Sequence, residues 1–192
     1  MNVQNILSIA LLALFVLMVR IRSWKLKKRG IRTIVFGRTD KSDFLLIPCV
    51  LAIVYSALAK PTGLPMWIAL VRPFWDSTVP GWAGIGICLI SNIGFALTLA
   101  DFGDSFRVGI DEDKPGELIT GGMFAISRNP IYVCFLLFFT GMFVVHRNIV
   151  MVVAVLVFSL AIHRQVLREE KFLKQQYGEQ YKEYCKKVRR YL

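Results

Sequence analysis

The chain is short of histidine and of acid. Of its 192 residues only His146 and His163 are histidines, and 13 Asp and Glu stand against 24 Lys and Arg. Two histidines exclude a histidine-rich metal centre. The four cysteines, Cys49, Cys88, Cys134 and Cys185, form no Cys-x-x-Cys pair, and three of them lie in apolar blocks. Neither a metal site nor a disulfide framework is indicated, and packing is their expected role. Glycine-rich nucleotide signatures are missing: there is no Gly-x-Gly-x-x-Gly after a strand, no Walker loop and no Gly-x-Ser-x-Gly elbow. Any nucleotide-like ligand needs a site built another way. Arg, Lys, Asp and Glu are also absent from the middles of the apolar blocks, where transporters tend to place polar groups. No internal repeat or low-complexity tract is visible.

What the chain has is apolar sequence in blocks. It is 55% hydrophobic, above the roughly 45–50% of a soluble domain, which points to an integral membrane protein. The length suits one membrane domain over residues 1–192, without a separate large soluble domain. Five segments can be drawn, at about residues 3–21, 44–59, 82–100, 130–145 and 149–162. The expected fold is therefore all-α, with five transmembrane helices, a cytosolic loop and a C-terminal amphipathic helix. The first apolar run precedes its basic residues, the reverse of a cleaved signal peptide, so it reads as a retained signal anchor. A Pro-rich connection with Trp67, Phe74, Trp75 and Trp82 suits the interfacial aromatic belt, with a re-entrant or interfacial helix at 65–71. The third segment carries Gly84, Gly86, Ser91, Gly94 and Ala96, small residues that let helices approach closely. His146-Arg147-Asn148 leaves room only for a tight turn, making a helical hairpin of the last two segments.

The net charge of +11 would suggest nucleic acid in a soluble protein. Here the apolar blocks favour loops facing a cytoplasm and its anionic lipid surface. Nine Lys or Arg lie between Arg20 and Lys41 and nine more in the tail, residues 163–192. The connection at 60–80 carries Lys60 and Arg72, and the last turn carries Arg147. The positive-inside rule then puts the N-terminus outside, and the first loop, residues 101–129 and the tail inside. In the tail, Val166, Leu173, Tyr177, Tyr181, Tyr184 and Val188 recur at helical spacing on one face. Gly178 weakens that helix locally, by about 1 kcal/mol relative to Ala.

Two clusters share the cytosolic face in this topology. Residues 116–132 form a polar, glycine-bearing loop ending in Arg128-Asn129-Pro130 at the mouth of an apolar segment, and Arg168-Glu169-Glu170 closes another. Gly121-Gly122 permits positive φ and close backbone approach to a ligand. Met123, Phe124 and Ile126 could wall an aromatic base. Arg128 offers a planar fork suited to a carboxylate, and Pro130 fits a first helical position. The bland alternative has Arg128 anchoring the helix at the interface and Tyr132 in the aromatic belt. Glu169 and Glu170 point about 100° apart on a helix. One can face a ligand while the other pairs with Lys174, or both belong to a solvated face.

The stretch Gly-Glu-Leu-Ile-Thr-Gly-Gly-Met-Phe-Ala-Ile-Ser-Arg-Asn-Pro-Ile-Tyr, from 116 to 132, resembles the signature of the isoprenylcysteine carboxyl methyltransferase and phospholipid methyltransferase superfamily. The tail, from Arg168-Glu169-Glu170 through Tyr177-Gly178 to Tyr181 and Tyr184, resembles the family's Glu-Glu-x-x-Leu and (Phe/Tyr)-Gly-x-x-Tyr-x-x-Tyr runs, and residues 102–110 resemble a preceding segment. The likeness covers about 101–190 in family order. It implies a cofactor-binding half at 101–192 and S-adenosylmethionine as methyl donor, held at the cytosolic face. The residues it marks for the cofactor are Leu118, Gly121, Gly122, Phe124, Ser127, Arg128, Asn129, Pro130, Tyr132, Glu169 and Glu170. Arg128, Tyr132 and Glu169 are marked for catalysis. Arg128 would position an acidic group, and Glu169 or Glu170 would accept hydrogen bonds from ribose hydroxyls or the cofactor's amino group. Asn129 stands where the best-known members carry His, which removes imidazole acid–base chemistry from that position. The implied partners are a lipophilic small molecule or lipid acceptor and membrane lipids, with no metal and no nucleic acid. The implied setting is a multi-pass protein of a prokaryotic cytoplasmic membrane. Membrane sterol reductases that use NADPH share a similar Arg-(His/Asn)-Pro-x-Tyr pattern but are larger. A non-catalytic membrane scaffold is the other alternative.

Overall fold

The computed structural model describes residues 2–30, 46–63, 65, 70, 72–103 and 117–192. Among these residues the chain is all-helical: α1 is Val3–Lys28, α2 Leu46–Thr62, α3 Val79–Asp101, α4 Pro130–His146 and α5 Ile149–Lys187, with a 3-10 turn at Gly122–Ala125. Helices α1, α3 and α5 are long and apolar enough to cross a membrane, whereas α4 and the Leu46–Ala59 part of α2 are apolar but shorter. Among the described residues, three of the five expected spans therefore reach full length. The 17 residues of α4 reach about 26 Å at 1.5 Å per residue, somewhat under a hydrocarbon core of about 30 Å. Arg32, Arg38, Lys41 and Phe44, residues 66–69 and 71 of the helix expected at 65–71, and residues 104–116 lie outside the described residues.

Local sequence explains the helix ends. The Asn2 side chain caps α1 by accepting from the Gln4 N–H. Proline sits in the first turn of α3 and opens α4, where its missing N–H costs nothing. The hairpin turn is tighter still than the three residues His146-Arg147-Asn148 suggested, since α4 includes His146 and only Arg147 and Asn148 lie between the helices. Arg147 takes a left-handed φ of 36°, and Asn148 caps α5 by accepting the Met151 N–H at 2.9 Å. Two boundaries differ from expectation. α1 runs on to Lys28 instead of ending near 21, because Lys25, Lys27 and Lys28 in its last turn suit a helix C-terminus. α5 does not run straight into the tail. At Gly178 the backbone turns to φ 51°, ψ −120°, a conformation that glycine tolerates and other residues avoid. The tail is thus two helical pieces meeting at a reversal, and only Val166, Tyr181 and Tyr184 of the expected face are buried.

Helix α4 is the hub: α1, α2, α3 and α5 all pack on it. Its contact with α3 is close because both sides are small. A Cβ at Gly84 would lie 2.7 Å from the Gly141 carbonyl oxygen, and one at Gly141 would lie 2.6 Å from Cys88 Sγ. Ser91 Oγ donates to the Cys134 carbonyl across the same seam at 2.6 Å. Beside it lies an aromatic core, with Phe15 stacked on Phe95 at 4.3 Å and Phe139 edge-on to Phe158 at 4.6 Å. Polar pairs gather at one end of the bundle. Gln4 Nε2 donates to the Thr78 carbonyl, Ser8 Oγ meets His146 Nε2, and Asn148 Nδ2 donates to Ser56 Oγ. That end holds the N-termini of α1, α3 and α5 and the C-terminus of α4. The opposite end therefore collects the C-terminus of α3 and the N-terminus of α4.

Candidate functional site

At that opposite end the two sequence clusters come together. Pro130 starts α4, and the preceding turn Ser127-Arg128-Asn129 is pressed against the tail. Glu169 and Glu170 sit on α5 beside it. Their side chains diverge as adjacent helical positions must. The Tyr132 hydroxyl donates to Glu169 Oε1 at 2.5 Å, and Gln165 Nε2 donates to the same oxygen at 2.8 Å. Glu170 turns the other way. Its Oε1 accepts from Arg128 Nε at 3.2 Å, Arg128 Nη2 at 3.0 Å and Asn129 Nδ2 at 3.2 Å. Its Oε2 accepts from Arg190 Nε at 2.9 Å and lies 2.9 Å from Arg190 Nη2. The pairing of a glutamate with Lys174 gives way to this two-arginine arrangement, because the reversal at Gly178 returns the chain end to α5.

The Arg128 and Glu170 side chains are both 11% exposed. Burial on its own would raise the Glu170 carboxyl, but hydrogen bonds from Arg190 and Arg128, with their charges, outweigh it and hold the group below the usual carboxylate range. The same hydrogen bond raises Arg190 further above its ordinary value. Tyr184, buried beneath the loop, has its phenol pushed up to about 12, chiefly by burial.

The loop from 117 to 129 is held from three sides. Tyr184 Oη donates to the Phe124 carbonyl at 2.6 Å. The Phe124 ring packs edge-on to Phe102 at 4.9 Å. Asp101, the last residue of α3, accepts the Met123 N–H on Oδ2 at 2.7 Å. A carboxylate at a helix C-terminus opposes the helix dipole, and here the N–H of the 3-10 turn compensates it. Gly122 has φ +60°, and a Cβ there would fall 2.2 Å from Asp101 Oδ2. Its need for glycine therefore comes from the positive φ and from Asp101 together. Gly121 differs, since a Cβ there meets nothing within 4 Å. Leu118 is half-buried ahead of the turn. Ser127 and Asn129 are buried. Ser127 Oγ accepts the Asn129 N–H and donates to the Arg190 carbonyl.

The marked polar residues thus gather at one end of the bundle, in two groups. Tyr132, Gln165 and Glu169 make one, and Ser127, Arg128, Asn129 and Glu170 make the other, turned toward the chain end. The sequence reading missed Asp101, Gln165 and Arg190. Gln165 carried a signal, standing one helical turn before Glu169. Arg190 looked like one more charge in a basic tail.

The chain is thus a helical bundle with membrane-length helices and a charged cluster at one end of its hub helix. The sequence pattern of the phospholipid methyltransferase family matches residues 79–180, which span the hub, the loop and both carboxylates. The chain belongs to that family, and is accordingly a methyltransferase of the membrane. No curated protein is matched by the chain.

Proposed function

We propose that the protein transfers a methyl group from S-adenosylmethionine to a lipophilic acceptor, a lipid amine, thiol or carboxylate, at the cytosolic face of a five-span bundle whose N-terminus lies outside. The observation that carries this reading is the meeting of Tyr132 with Glu169, from distant parts of the matched region, beside a glycine-bearing loop. The donor set suits the cofactor. A carboxylate can accept from ribose hydroxyls or an ammonium group, and the open side of Gly121 admits close backbone approach. When bound, S-adenosylmethionine supplies an electrophilic methyl carbon on a sulfonium. Glu169 holds the ligand's polar end, with Tyr132 and Gln165 fixing the carboxylate's rotamer through Oε1. Catalysis comes mainly from alignment, worth several orders of magnitude for oriented reactants. The acceptor enters sideways from the bilayer, along the side of α4 where Leu137 and Thr140 are exposed.

The test is calorimetric titration of the purified protein with S-adenosylmethionine and, separately, NADPH. Incubation with radiolabelled methyl donor and a membrane lipid extract follows. Saturable binding of the methyl donor and label in an extracted lipid are expected. Binding of NADPH alone would replace this reading with the reductase one.

A further inference from the structure

The turn before α4 and the chain end are bound together as a strap and its clasp. The backbone N–H of Arg128 donates to the Arg189 carbonyl at 2.9 Å. The Arg190 carbonyl accepts from Ser127 Oγ at 3.3 Å and Asn129 Nδ2 at 3.1 Å. Arg128 Nη1 donates to the carbonyls of Cys185 at 3.3 Å and Val188 at 3.2 Å. Those two carbonyls belong to the last turn and C-cap of α5, where orphan acceptors need partners and a cation is favoured by the helix dipole. Counting donors decides what Arg128 can still do. A guanidinium has five N–H groups. Two go to Glu170 and two to the strap carbonyls. One remains, and one cannot make the two-pronged grip on a carboxylate that recognition of an acidic ligand would use. Glu170 is equally occupied. Its two oxygens take contacts from Arg128, Asn129 and Arg190, which fills the roughly four lone-pair positions of a carboxylate.

We infer that Arg128, Glu170 and Arg190 are positioning residues, a clasp that fastens the strap of residues 185–191 across the Ser127-Arg128-Asn129 turn, and that of the adjacent carboxylates only Glu169 contacts the methyl donor. The inference rests on the methyltransferase reading for its second half and on the observed network for its first. It makes Arg190 part of the working site, although that side chain lies beyond the matched residues. The clasp holds the start of α4, and hence Tyr132, in register with α5, and hence Glu169.

The experiment uses the full chain, purified in lipid nanodiscs, with three readouts: S-adenosylmethionine affinity, methyl transfer, and the rate of tryptic cleavage after Lys186 and Lys187. Glu170→Gln and Arg190→Ala are expected to speed that cleavage at least about tenfold, as loss of a charge-assisted bond does, and to weaken donor affinity as a consequence. Arg190→Lys restores part of the protection. Glu169→Gln is expected to lose donor affinity at least about tenfold with the tail cleaved at the wild-type rate. Glu170→Gln with wild-type tail protection but lost donor binding would overturn the clasp and make Glu170 a ligand contact. Normal donor binding in Glu169→Gln would overturn its assignment. If the wild type itself binds no methyl donor while Glu170→Gln and Arg190→Ala free the tail, the clasp stands and the methyl-donor reading is what fails.

Discussion

Gly122→Ala is the substitution whose cost is most directly worked from the geometry. Two terms contribute. The backbone holds φ +60°, and an L-residue in a left-handed conformation costs about 1–2 kcal/mol. The new Cβ would also lie 2.2 Å from Asp101 Oδ2, so the carboxylate must swing away and release the Met123 N–H that it accepts at 2.7 Å. For an exposed carboxylate that loss is worth about 1 kcal/mol, below the usual range for charged partners. The sum, about 2–3 kcal/mol, should raise the opening of the 3-10 turn roughly 30- to 150-fold. The amides to follow by hydrogen exchange are those of Phe124, bonded to the Gly121 carbonyl, and Ser127, bonded to the Met123 carbonyl. In an Asp101→Ala background the second term is already gone. Gly122→Ala should then cost only its backbone part, leaving a coupling near 1 kcal/mol in the double-mutant cycle. Additivity within about 0.3–0.5 kcal/mol would refute the reasoning. It would return Gly122 to the role of admitting a ligand to the backbone.

Two further outcomes follow from the tail. Gly178→Ala adds a Cβ that meets nothing within 4 Å, so its whole effect is the strained φ 51°, ψ −120°, about 1–3 kcal/mol; tryptic cleavage after Lys186 and Lys187 should rise while the helical circular dichroism of the bundle stays unchanged. Glu170 is held below the ordinary carboxyl value of 4.5, so its contribution is fully present above that pH and is lost as pH falls through the lower, folded value; exchange of the tail amides, corrected for intrinsic rate, should increase at acid pH, and Glu170→Gln should flatten that dependence.

The sequence by itself determined the helical class, the hairpin at His146-Arg147-Asn148, the seam of small residues at Gly84 and the shared location of the loop and the two glutamates. Each is a local or periodic property. Apolar blocks of membrane length can satisfy their backbone only as helices unless they close into a barrel. Two or three polar residues between two apolar blocks allow little but a tight turn, and small residues mark where helices approach. The resemblance added which residues to expect at a site. What it left open was which glutamate faces which partner, and what Arg128 does with its donors. Those answers depend on the reversal at Gly178. A single glycine reads as a weak point in a helix, but its φ of 51° sends the chain back on itself. That path brings Arg190 to Glu170 and the carbonyls of Cys185 and Val188 to Arg128. Asp101 and Gly122 show the same limit. They are separated by 21 positions in the chain, and no spacing rule joins a helix C-terminus to a later loop. Only tertiary packing sets such long-range polar pairs, because a hydrogen bond is decided by where its partners sit and not by their residue types.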